Sequence, residues 1–132
     1  MLQYMLDTNI CIYVIKNYPP HLREKFNRVA GQLCMSSITL AELHFGAQKS
    51  ARQTENLQAI EHFAARLDVL PFAEKAAAHY GQLRAELERA GTPVGPHDML
   101  IAAHALAEGL KIVTNNLREF ERIKALRIEN WV

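Results

Sequence analysis

Short apolar runs alternate with longer amphipathic segments along the whole chain. The apolar runs have the length of buried strands and cover residues 2–6, 33–36, 67–70, 110–113 and 127–131. Between them, apolar residues recur every three or four positions, which predicts helices at 8–16, 21–30, 40–50, 54–66, 73–90 and 97–108, and a helical turn at 117–120. This alternation indicates an α/β fold with a mainly parallel sheet of about four to five strands, flanked by helices. No segment has the composition of a linker, so we expect residues 1–132 to form a single domain.

The composition is that of an ordinary globular protein. Of the 132 residues, 49% are hydrophobic, and the formal net charge is +1. Because the chain lacks a strong basic excess, any site for a polyanion has to be a local patch. Cys11 and Cys34 lie in apolar surroundings without a CxxC motif, which is typical of reduced thiols in a cytoplasmic protein. No apolar run approaches the ~20 residues of a membrane span, and we expect neither a membrane anchor nor a signal peptide.

Polar side chains stand at the ends of several predicted strands. Asp7 directly follows the first strand, and Asn116 follows the fourth; Glu42 and Asp98 lie near the beginnings of two helices. The carboxyl ends of parallel strands meet at one edge of a sheet, where sites are commonly built. Carboxylates gathered there repel one another unless one is protonated or a cation lies among them. Hard oxygen ligands suit Mg²⁺ or Mn²⁺, which can activate water against a phosphodiester. The pattern therefore predicts metal-dependent phosphodiester hydrolysis.

Each of these residues also has a purely structural interpretation. Asp7 can cap the helix that follows it, and Asp98 can serve as a first-turn acid that favours the helix dipole. Glu42 stands three residues after Thr39, the spacing of a capping box. Asn116 is a common turn residue. Taken singly, Asp7 leaves the two interpretations about even, and each of the other residues favours the structural one. Taken together, they favour metal-dependent phosphodiester hydrolysis.

Four segments resemble those of a known family in order and spacing: MLDTN at 5–9, SSITLAELHFG at 36–46, GTPVGPHDMLIAAHA at 91–105 and IVTNNLREFERI at 112–123. The family is that of the PIN-domain ribonucleases and, more narrowly, of the VapC toxins of bacterial VapBC toxin–antitoxin pairs. The resemblance spans essentially the whole chain. It implies a PIN-like fold and an Mg²⁺- or Mn²⁺-dependent endoribonuclease that inhibits translation and growth, with tRNA as the leading substrate.

The resemblance also implies roles for individual residues. Asp7, Glu42 and Asp98 match the family acids that coordinate Mg²⁺ or Mn²⁺, directly or through water. Thr8 and Thr114 match hydroxyl positions that line the same site.

One position departs from the general family pattern. Asn116 stands where many PIN domains carry an aspartate, and an amide supplies no charge for a second metal ion. Glu119, one helical step beyond, is a candidate to replace that charge. Two further residues are candidates for contact with the substrate: His97, which adjoins Asp98, and Arg84, which can reach a phosphate or pair with a site carboxylate.

The resemblance further implies partners. VapC proteins are held inactive by a VapB antitoxin, whose C-terminal segment lies over the acidic site. They are usually homodimers, and the antitoxin makes the contacts of the complex with operator DNA. A VapB-type antitoxin, an RNA substrate and a second copy of the chain are therefore the expected partners.

Two asparagines, Asn116 and Asn9, bear on two rival functions. A non-catalytic PIN-like module that only binds protein is favoured by the charge missing at Asn116, and is opposed by the joint presence of Asp7, Glu42 and Asp98. A phosphatase of the haloacid dehalogenase type would need an acid two residues after Asp7, where Asn9 stands.

Overall fold

The five predicted strands form one sheet. The computed structural model describes all 132 residues. Its strands are β1 Tyr4–Leu6, β2 Leu33–Ser36, β3 Asp68–Leu70, β4 Lys111–Val113 and β5 Ile128–Glu129. They pair in the order β3-β2-β1-β4-β5, and every pairing is parallel. The predicted α/β fold with a parallel sheet is therefore confirmed.

Seven helices connect the strands: α1 Thr8–Lys16, α2 Pro20–Arg28, α3 Ser37–Gln48, α4 Gln53–Ala64, α5 Glu74–Ala90, α6 Pro96–Glu108 and α7 Leu117–Phe120. Their ends lie within about three residues of the predicted ends, the usual uncertainty of helix boundaries. None of the helices has both the length and the apolar character needed to cross a membrane.

Side chains alternate along the central strands, and this alternation divides the core into two clusters. Met5 and Ile112 belong to a cluster of 15 buried residues that includes side chains of α5 and α6. Leu6 and Val113 belong to a cluster of 14 that includes side chains of α1 to α4. Since β1 and β4 are covered on both faces, their residues are apolar on both sides, as expected for the interior of a parallel sheet.

The beginning of α3 differs from the prediction. The side chain of Ser36 caps the helix by accepting a hydrogen bond from the Ile38 N–H at 3.1 Å. Thr39 lies inside the first turn and is buried, so the predicted capping box of Thr39 and Glu42 is wrong. The reason is that β2 runs into α3 without an intervening loop, which moves the cap to the last residue of the strand. Glu42 is thereby left free to take part in a site.

A buried histidine connects α6 to the end of β2. His104 is fully buried, and its Nδ1 lies 2.8 Å from Ser36 Oγ, while its Nε2 has no hydrogen-bond partner. The ring of Phe72 packs against it edge-on at 5.5 Å. Burial lowers the pKa of His104, and the charge of Glu108 only partly opposes this shift.

This histidine should make the fold sensitive to acid. Below about pH 6.5 the unfolded chain binds a proton that the buried ring resists, so the contribution of His104 to the free energy of unfolding falls as the pH is lowered. His104→Asn, which can keep a hydrogen bond to Ser36, should remove this contribution and change the slope of the profile. Urea unfolding between about pH 5 and pH 7.5 measures the effect. Substitution of the exposed His62 by Asn is the control, and a slope unchanged by His104→Asn would contradict the assignment.

Candidate active site

Asp7 lies at the carboxyl end of β1, where the strand passes directly into α1. Its side chain is 3% exposed, and its Oδ1 accepts a hydrogen bond from the Ile10 N–H at 2.9 Å. The interpretation of Asp7 as a helix cap is therefore correct for its Oδ1 atom, which caps α1. Burial raises the pKa of Asp7 to about 6; the Thr114 hydroxyl and the Ile10 amide partly offset this shift, and the charges of Asp98 and Glu42 add to it. A buried carboxylate whose charge is so poorly compensated is typical of functional sites.

Asp98 lies in the first turn of α6, and the side-chain amide of Asn116 binds it. Asn116 Nδ2 donates a hydrogen bond to Asp98 Oδ2 at 3.0 Å. The N–H of Asn116 in turn donates to the buried Thr114 Oγ1 at 2.8 Å, which fixes the turn after β4. Burial and the charges of Glu119 and Glu42 raise the pKa of Asp98, while the Asn116 amide lowers it.

Glu42 projects from the second turn of α3 and uses both carboxylate oxygens. Its Oε1 accepts a hydrogen bond from the Thr8 hydroxyl at 2.8 Å. Its Oε2 lies 3.0 Å from Nδ1 of His97, whose side chain is 66% exposed. Thr8 therefore orients the acid, and His97 forms the solvent-facing boundary of the site.

Glu119, in α7, is positioned by the loop that precedes α6. Its Oε2 accepts a hydrogen bond from the Gly95 N–H at 3.2 Å and lies 3.9 Å from Nη1 of Arg122. Since its charge contributes to the raised pKa of Asp98, Glu119 belongs to the same acidic group. The role of Gly95 was not predicted; the only sequence signal was the Gly-Pro pair that begins α6.

The structure thus brings together most of the predicted site residues at the carboxyl edge of the sheet. They are Asp7, Thr8, Glu42, His97, Asp98, Thr114, Asn116 and Glu119. Arg84 is the exception. It lies on the exposed face of α5, where its guanidinium bonds to Glu88 and to the Tyr80 hydroxyl, both at 3.2 Å. The expectation that Arg84 pairs with a site carboxylate is therefore wrong.

The chemistry of these side chains fits a hard divalent cation. The available donors are carboxylate, hydroxyl and amide oxygens, with His97 as the one histidine in contact with them. No three His, Cys, Asp or Glu side chains converge closely enough to bind one ion directly. Mg²⁺ usually keeps several water ligands and binds to one or two protein carboxylates. The residues therefore fit a water-rich Mg²⁺ or Mn²⁺ site.

Comparisons with known proteins agree with this fold. A family model described as "PIN domain" matches residues 4–126. The tRNA(fMet)-specific endonuclease VapC of Salmonella typhimurium is 58% identical over 131 residues, 99% of each chain. The ribonuclease VapC2 of Haemophilus influenzae is 55% identical over 132 residues, 100% of each chain.

Solved structures extend the likeness to three dimensions. A structure of DNA-bound VapBC from Salmonella typhimurium has a TM-score of 0.96 at 57% identity, with both chains covered completely. A structure of VapBC2 from Rickettsia felis, bound to a promoter DNA fragment, has a TM-score of 0.93 at 41% identity. The match covers 99% of this chain and 100% of the chain in that structure. The chain therefore belongs to the PIN-domain family and, within it, to the VapC ribonucleases.

Proposed function

We propose that this protein is the toxin of a VapBC-type pair and a metal-dependent endoribonuclease. The observation that carries the proposal is the acidic group at the carboxyl edge of the sheet, in which the pKa values of Asp7 and Asp98 are raised by burial and by neighbouring acids. Such a group costs free energy in the metal-free protein, and a bound divalent cation offsets that cost. The identities above 50% to VapC ribonucleases over the whole chain support the same activity.

The residues divide into those that would hold Mg²⁺ or Mn²⁺ and those that position them. Asp7, Asp98 and Glu42 are the candidate ligands, directly or through water, and Glu119 is a further one. When bound, the ion would supply a water of lowered pKa and neutralise charge on the scissile phosphate.

The remaining residues orient these acids. Thr8 fixes the rotamer of Glu42, Asn116 holds one oxygen of Asp98, and Thr114 fixes the turn that presents Asn116. His97 is exposed enough to exchange its contact with Glu42 for one with a phosphate of the RNA. No covalent nucleophile is needed.

The leading substrate is tRNA, and initiator tRNA is the first candidate. The Salmonella relative carries the name of a tRNA(fMet)-specific endonuclease at 58% identity. Hydrolysis of initiator tRNA would stop translation and growth. His97, whose side chain is 66% exposed, lies at the edge of the acidic group, where a phosphodiester in an unpaired loop can approach because the strand can be splayed out.

The expected regulator is a VapB-type antitoxin, since the structural relatives are VapBC complexes. A groove of about 300 Å³ between α1, α3 and α4 reaches Glu42 and carries the apolar side chains of Ile12, Leu43 and Ile60. We assign this groove, called the α1–α3–α4 groove below, to an inhibitory antitoxin segment. A homodimer and indirect contact with operator DNA through the antitoxin complete the proposed assembly.

One observation favours the rival function of a non-catalytic binding module. The Asn116 amide already occupies an oxygen of Asp98, and this position supplies no negative charge. We prefer the nuclease function because the three acids Asp7, Glu42 and Asp98 are present around Asn116. The rival would retain antitoxin binding without any cleavage of RNA.

The substrate assignment is tested with purified toxin, initiator tRNA and an elongator methionine tRNA in Mg²⁺. We expect one cut in the initiator tRNA at a rate at least about 100-fold above that in the elongator tRNA, a ratio that specific polar contacts commonly reach. Sequencing the product ends maps the cut. Equal cleavage of both tRNAs would contradict the specificity, and no cleavage of any RNA would favour the binding module.

A further inference from the structure

A second cavity, remote from the acids, opens at the other end of α1. Its volume is about 220 Å³, and it lies between the C-terminal turn of α1, α2 and the end of α4. Two arginines, Arg23 and Arg66, line it together with His62 and the apolar side chains of Ile15 and Phe63. No acidic residue lines it. We call it the arginine cavity.

Neither arginine of this cavity pairs with a carboxylate. The structure contains five ion pairs, and neither Arg23 nor Arg66 takes part in any of them. Arg66 donates to the Asn27 side chain, and its guanidinium stacks on the ring of Phe26 at 4.8 Å. Stacking on an aromatic ring holds a guanidinium flat and leaves its edge free to bind an oxyanion.

Arg23 also has unused donor capacity. Its Nη2 donates to the carbonyl oxygens of Val14 at 2.8 Å and Ile15 at 3.4 Å. One side of the guanidinium therefore binds the C-terminus of α1. Its Nε is buried and has no hydrogen-bond partner. A buried N–H without an acceptor costs free energy, so the protein itself does not satisfy all the donors of Arg23.

The arginine cavity adjoins the α1–α3–α4 groove. Ile15 and Ala59 line both, so the surface passes from two arginines, through apolar walls, to Glu42 at the acidic site. A peptide that carries an acidic residue followed by apolar residues complements this surface. An RNA strand would satisfy the arginines with its phosphates but has no aliphatic side chains for the groove.

We propose that the arginine cavity binds a carboxylate side chain of the antitoxin and so anchors the segment whose apolar residues enter the α1–α3–α4 groove. This inference rests on the proposed antitoxin partner. The anchor would lie about one α1 length, ~13 Å, from Asp7. It would therefore strengthen inhibition without contacting the catalytic acids.

The test uses the VapB-type antitoxin encoded with this chain and measures its dissociation constant for the full-length toxin by calorimetry. Arg66→Gln should weaken binding by about 10- to 100-fold, since a charge-assisted pair with a carboxylate is lost. Arg28→Gln, which removes an exposed arginine of α2 outside the cavity, is the matched control and should change binding less than about twofold. The free Arg66→Gln toxin should cleave RNA at the wild-type rate.

A charge reversal keeps the proposal falsifiable if Arg66→Gln alters the fold. Arg66→Glu should abolish tight binding, and an Asp→Arg or Glu→Arg substitution in the antitoxin should restore it and so identify the anchoring carboxylate. Wild-type affinity in both Arg66 variants would overturn the proposal. So would a raised KM for RNA with unchanged antitoxin binding, because the cavity would then serve an RNA phosphate. If the wild-type toxin bound no antitoxin, the partner itself would be refuted.

Discussion

Asp7→Asn should abolish RNA cleavage and yet stabilise the metal-free protein. The asparagine keeps an oxygen for the Ile10 N–H, so the cap of α1 survives, but the charge that would hold the metal is lost. Loss of a principal electrostatic group from an active site typically lowers kcat by about 10²- to 10³-fold, and we expect at least this loss here. Single-turnover cleavage of tRNA in Mg²⁺ measures the effect.

The stability change has the opposite sign because of burial. The pKa of Asp7 is raised by desolvation to about 6, so the folded state binds a proton more tightly than the unfolded state does. Stability is therefore lost as the pH rises from about 4 to about 6, and the loss at pH 7 is of the order of 3 kcal/mol. Asp7→Asn removes this loss and should raise the melting temperature in EDTA at pH 7 by about 5–10 °C.

The matched control for Asp7→Asn is Asp68→Asn. Asp68 is an exposed acid at the beginning of β3, and its replacement should leave both cleavage and melting temperature nearly unchanged. A wild-type rate of cleavage in Asp7→Asn would remove Asp7 from the catalytic site. A lower melting temperature for Asp7→Asn in EDTA would show that the carboxylate contributes mainly as a helix cap.

Asn116→Asp should couple the stability of the fold strongly to the metal. The amide that donates to Asp98 Oδ2 at 3.0 Å would be replaced by a second carboxylate. The lost hydrogen bond and the new repulsion should cost the metal-free protein about 1–3 kcal/mol. The added negative charge should in turn strengthen Mg²⁺ binding by about tenfold or more.

Thermal melting with and without Mg²⁺ tests this coupling. We expect Asn116→Asp to melt below the wild type in EDTA and to gain more than the wild type when Mg²⁺ is added. Asn115→Asp is the control, since that amide donates to the Tyr13 hydroxyl and not to Asp98. If Mg²⁺ stabilised the two variants equally, Asn116 would not adjoin a metal site.

The sequence allowed prediction of those features that depend on local pattern. Asp7 was correctly placed at the end of β1 because an apolar strand and an amphipathic helix meet there without a loop. Asp98 was predicted at the beginning of α6 because a Gly-Pro pair precedes it. In both cases the signal lies within a few residues, where strand periodicity, proline geometry and capping preferences act.

The contacts between different helices and strands could not be predicted from the sequence. The bond from Asn116 to Asp98 joins residues 18 apart, and that from Thr8 to Glu42 joins residues 34 apart. Neither pair has a local signature. The cap of α3 was misplaced at Thr39 because a capping box and a strand-to-helix junction can occur within the same few residues, and only packing selects between them. Arg84 was predicted as a partner for the acids because the sequence does not show which face of α5 packs on the core. In the structure, Arg84 lies on the exposed face.

The most direct test of the metal-dependent nuclease is cleavage of total bacterial RNA by purified, antitoxin-free protein. The reaction is run in Mg²⁺ and in EDTA, beside Asp7→Asn and Asp68→Asn. We predict one discrete product that requires both Mg²⁺ and Asp7 and is formed equally by the Asp68→Asn control. Cleavage that persists in EDTA or in Asp7→Asn, or no cleavage by well-folded wild-type protein, would contradict the assignment of the acidic group as the active site.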